Sequence, residues 1–64
     1  MKIDETEFLN ELAESIRMRL EELSRILNNV KDATTRSALT NNHQKGMEEL
    51  AKIKERIREI EREN

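Results

Sequence analysis

Sixty-four residues carry 41% charged and 34% hydrophobic side chains, a formal net charge of −2 at pH 7, one glycine, and no proline or cysteine. This composition excludes disulfides and thiolate metal sites, gives no electrostatic drive toward phosphate polymers, and leaves too little apolar content for a thick single-chain core. One histidine, His43, cannot build a His-rich metal centre, and Phe8, the single aromatic residue, disfavours a stacking platform for single-stranded nucleic acid.

The chain opens MKIDETEFLNEL, which reads as a helix start. Asp4 fits the N-cap, where its side chain accepts from free backbone N–H groups, and Glu7 has the spacing to reach back to the cap. Ile3 and Phe8 have the spacing of a hydrophobic staple. Lys2, Asp4, Glu5 and Glu7 put charges where a signal peptide needs an apolar run, and no apolar stretch approaches the roughly 20 residues of a membrane span. A cytoplasmic location is the default expectation.

From Leu9 the apolar residues repeat. Leu9, Ile16, Leu23 and Val30 are seven apart and define position a of a heptad; Leu12 and Ile26 fall at d, and Leu20 and Leu27 widen the stripe at e. A broad a/d/e face belongs to a bundle helix more than to a strict two-stranded seam. The first helix is expected from about 5 to 30.

The second half has a repeat of its own. Leu50 and Ile57 are seven apart, as are Ile53 and Ile60; extended backward, this register places Leu39 and Gly46 at d and His43 at a. The first register, carried forward, lands mostly on polar residues, so the two disagree and a break is required between them. The segment NNVKDATTRS supplies it, being rich in residues that favour caps and turns over helix interiors, with Asp32 or Thr34 as the cap of a second helix. A turn at about 31–34 and a second helix at about 35–62 make one helical-hairpin domain, 1–64. TNNHQKG, residues 40–46, is a rival break that leaves unequal arms; a single continuous helix conflicts with the register change.

A lone hairpin has one seam, and the a/d/e stripe is wider than one neighbour covers. The expected fold class is therefore all-α, an antiparallel two-helix hairpin that dimerises into a four-helix bundle or coiled coil, since closed twofold assemblies are the commonest remedy for a thin core. The expected core and dimer interface is Leu9, Leu12, Ile16, Leu20, Leu23, Ile26, Leu27, Val30, Leu39, Leu50, Ile53, Ile57 and Ile60. Arg19, Arg36, His43 and Gly46 break the inward stripes. With a turn near residue 32, Arg19 lies near Gly46 and Glu22 near His43, a polar layer of the kind that fixes register and orientation. Glycine inside a helix costs about 1 kcal/mol relative to alanine, and room for the Arg19 stem is the expected return.

His43-Gln44-Lys45-Gly46 resembles the H-x-x-K-G motif of histidine phosphotransfer domains, with one residue fewer between histidine and lysine, a change that moves Lys and Gly around the helix. A histidine bonded to a carboxylate in the seam is the expectation. In EELAKIKERIREIEREN the basic residues alternate with glutamates, and pairs such as Glu55/Arg58, Glu59/Arg62 and Glu48/Lys52 describe a solvated helix surface. In size and pattern the expected dimer is similar to the Rop type of RNA-binding hairpin bundle, which implies a nucleic-acid-binding regulator as the alternative; a structural assembly module is a third class. No nucleophile with a base, phosphate loop or metal spacing appears, so a non-enzyme is expected, with no cofactor and no small-molecule substrate. Its partners are expected to be a second copy and another protein, with neither nucleic acid nor membrane. Met18 and Met47, at one level of the hairpin, are candidate partner contacts.

Overall fold

A computed structural model describes residues 4–63, which form two helices, α1 (Glu5–Asn29) and α2 (Ala33–Glu63), joined by residues 30–32. The helices pack against each other as an antiparallel hairpin 48 Å long, 21 Å wide and 14 Å deep. The long dimension is that of α2, whose 31 residues span about 46 Å at 1.5 Å per residue. α2 is continuous through 40–46; Asn42, a weak helix former in that stretch, turns its side-chain amide back onto the Ala38 carbonyl at 3.1 Å.

Each helix end has an identifiable cause. Asp4 sits in extended backbone and accepts from the Thr6 N–H at 3.1 Å, while Glu5 and Glu7 place negative charge against the positive end of the α1 dipole. Ile3, the expected staple partner of Phe8, lies outside the described residues. α1 stops at Asn29, and Val30 is extended. Asp32 caps α2: one of its carboxylate oxygens accepts from the Thr35 N–H at 2.9 Å and from the Thr35 hydroxyl at 2.8 Å. α1 has no basic residue in its last turn. Arg36, in the first turns of α2, supplies that charge by donating to the Leu27 carbonyl at 2.6 Å and the Val30 carbonyl at 2.8 Å. Arg36 thus works from an exposed position at the turn, where α1 has ended and no neighbouring helix covers it.

The seam is built from alternating steps of four and three residues. On α1 it runs Leu9, Ala13, Ile16, Leu20, Leu23 and Leu27, followed by Val30 of the link; on α2 it runs Leu39, His43, Gly46, Leu50, Ile53, Ile57 and Ile60. These are the a and e positions of α1. The d residues Leu12 and Ile26 fall at its margin, 39% and 40% exposed, because one neighbouring helix covers a stripe only about 100° wide. Ala13, at e, is the most enclosed side chain, yet still 4% exposed, and no large side chain among the described residues is fully buried. The middle of the seam is its tightest point. A β-carbon added at Gly46 would lie 2.6 Å from Leu20 Cδ2 and 4.0 Å from Arg19 Nη2. The space left by the missing side chain is thus filled by a Leu20 methyl group, with the Arg19 guanidinium beside it.

Candidate functional site

The two edges of the seam differ in chemistry. Arg19 reaches Glu49 at 4.0 Å, and Glu5 meets Arg56 at 3.0 Å, so ion pairs bridge the helices along one edge. Ser24 and Arg19 are five residues apart, about 140° around α1, which puts Ser24 on the other edge. There its hydroxyl lies 3.3 Å from His43 Nε2. The histidine therefore meets a hydroxyl, two residues further along α1 than the expected Glu22. Ser24 and His43 are a hydroxyl and an imidazole in contact, but no carboxylate bonds the ring to orient it, and the contact is exposed; it reads as a seam hydrogen bond. Ser24 carries no sequence signal, since an isolated serine on a helix is ordinary.

Exposed apolar residues divide between these edges. Leu12 and Ile26 each lie seven residues from Arg19 and share its edge. Met47, one turn from His43, shares the other, where an open groove of about 530 Å³ runs along α2. Leu20, Met47, Leu50 and Ala51 form its apolar floor, and Lys54 and Arg58 stand on its rim with Glu55. Met18 and Met47 do not share a surface. Met18 sits two residues from both Ile16 and Leu20, half a turn away from the seam, and is 61% exposed on the back of α1.

Further ion pairs lie mainly along α2. Arg56 bonds Glu5 and also approaches Glu59 at 3.5 Å; the Glu5 charge and hydrogen bond hold its guanidinium above its ordinary pKa, with Glu59 and Glu63 adding to the effect. Arg58 pairs with Glu55 at 3.3 Å, and Arg62 approaches the same carboxylate at 3.9 Å, so Arg62 turns to Glu55 and Glu59 to Arg56. On α1, Arg17 pairs with Glu14 at 2.7 Å. Asp32 is held below its ordinary pKa of 3.8, first by the Thr35 backbone N–H and then by the Thr35 hydroxyl, both of which favour the carboxylate.

Among the described residues, no cluster of His, Cys, Asp and Glu is placed to hold a metal, and no helix is long and apolar enough to cross a membrane. The chain matches no protein-family model, no curated protein and no solved structure.

Proposed function

We propose that the hairpin is a self-associating protein-interaction module: two copies pair as a homodimeric four-helix bundle, and the bundle offers a helix groove to a protein partner, as a regulator, inhibitor or assembly adaptor. The observation that carries this reading is the open core. Ala13, Ile16 and Leu20 are the buried hydrophobic residues, while Phe8, Leu12, Met18, Ile26 and Met47 are exposed. Large apolar side chains contribute roughly 1.5–3 kcal/mol each when fully buried, against roughly 1–2 kcal/mol of backbone entropy per ordered residue. A chain without cysteine can close that gap only by covering its flanks with another surface.

The division of apolar residues between two edges supports two occupants. One edge, with Leu12 and Ile26, serves self-association; the other, with Met47 and Leu50 in the groove, serves the partner. Methionine suits a surface that must adapt to another protein. Pairing of Arg56, Arg58 and Arg62 with glutamates works against the nucleic-acid alternative, because those cations are already neutralised locally.

Sedimentation equilibrium and circular dichroism tests the self-association. The expected result is a mass near twice 7.6 kDa and a melting temperature that falls on dilution. A 7.6 kDa particle that melts cooperatively at a concentration-independent temperature overturns the reading. For the partner, a pull-down with the intact chain should recover a protein that Met47→Glu fails to retain. A gel shift with structured RNA at moderate salt would replace it with the nucleic-acid reading.

A further inference from the structure

Resting on self-association, we infer that two copies dock antiparallel through α1, with the twofold axis at Arg19. The exposed edge of α1 is symmetric about that residue. Leu12 and Ile26 lie seven residues to either side of it. Phe8, one turn before Leu12, is exposed and extends this edge toward the N-terminus of α1. When identical helices run antiparallel about Arg19, each position before it meets the position equally far after it on the other copy. Leu12 then packs on Ile26 of the second copy, and the twofold repeats the contact. Two apolar layers result, about 21 Å apart along the helix and centred on one polar layer.

Electrostatics selects this direction over the parallel one. Parallel docking stacks Glu5 on Glu5, Arg19 on Arg19 and Glu22 on Glu22, like charges at three levels. Antiparallel docking leaves only Arg19 at the level of its own copy. There Glu22 of the other copy is one turn away, and Glu49, already 4.0 Å from Arg19, completes the balance. The opposed helix dipoles favour the same direction. Arg19 is then the residue that sets the register: a slide of one heptad in either direction brings it against Leu12 or Ile26. The groove beside Met47 lies on the opposite edge and stays open.

Thiol coupling tests the arrangement, since the chain has no cysteine of its own. Leu12→Cys and Ile26→Cys are prepared separately, checked for helicity and mass, and treated with a bifunctional maleimide of about 8 Å reach, alone and as an equimolar mixture. The expected result is a cross-linked dimer in the mixture and almost none in either variant alone, because identical positions lie about 21 Å apart along antiparallel helices. Coupling of Leu12→Cys to itself overturns the proposal and leaves the homodimer standing, as does a dimeric mass with no coupling in any combination. A monomeric mass for the unmodified chain overturns both. Phe8→Cys mixed with Asn29→Cys, both exposed and nearly level with each other in this docking, repeats the test at the outer end of the edge, should substitution at Leu12 or Ile26 weaken association.

Discussion

Replacing Gly46 by alanine sets two effects of known size against each other. In an exposed helix interior the change is favourable by about 1 kcal/mol, because glycine carries the larger backbone entropy. Here the new methyl group would sit 2.6 Å from Leu20 Cδ2, whereas ordinary contact begins near 3.4 Å, so the leucine must withdraw by about 0.8 Å. Leu20 is one of the buried residues of the seam, and its methyl group yields by turning toward the open groove beside it or by pushing the helices apart. Overpacking of this kind costs about 1–3 kcal/mol, which leaves Gly46→Ala destabilising by about 0–2 kcal/mol. The discriminating measurement is a double-mutant cycle with Leu20→Val, which removes the offending methyl group. In that background Gly46→Ala should become stabilising by about 1 kcal/mol, a coupling of about 1–3 kcal/mol between the sites. Urea or thermal melts followed by circular dichroism at one fixed protein concentration give all four values. A Gly46→Ala gain of about 1 kcal/mol in both backgrounds would refute the close approach of the helices at this point.

Further outcomes test the turn and the polar layer. Arg36→Ala should lower stability by about 1–2 kcal/mol by freeing the Leu27 and Val30 carbonyls, and Arg36→Lys should recover part of it; urea melts check both. Because the folded state holds Asp32 below its ordinary 3.8, the stability it contributes is complete above pH 4 and is lost as pH falls through the lower, folded-state value. The stability difference between the native chain and Asp32→Asn should therefore shrink toward zero in acid, as read from melts across pH 2–6. Arg19→Leu should raise the melting temperature and broaden the distribution of assembled species in sedimentation velocity, since it makes the edge apolar from Leu12 to Ile26 and removes the register mark.

The hairpin was legible because two independent signals coincide near residue 32: a change of heptad register and a cluster of capping residues. Asp32, one of two expected caps, starts α2 through Thr35. What the pattern could not supply was the width of the seam. Counting large apolar residues selects a, d and e together, and only a neighbouring helix decides which pair of those positions turns inward. Leu12 and Ile26 therefore stand at the margin, while Ala13, too small to register as part of a hydrophobic stripe, is enclosed. The same choice of seam slides the facing pairs, so His43 meets Ser24 where Glu22 was expected. Arg36 was legible as a polar interruption of a stripe, but its role depends on a carbonyl-rich helix end brought close by the turn, which no spacing within α2 encodes.

The link of residues 30–32 has a consequence for the order in which the molecule assembles. Asp32, in the link, starts the second helix, and Arg36 of that helix closes the first, so α1 is not fully terminated until α2 has begun. Loop closure is cheapest there, and every later contact along the seam joins residues already brought side by side. The chain should thus zip from its bend outward, with amide protons of the helical turns next to the bend gaining protection first in pulse-labelled refolding and those around Glu5 and Arg56 last.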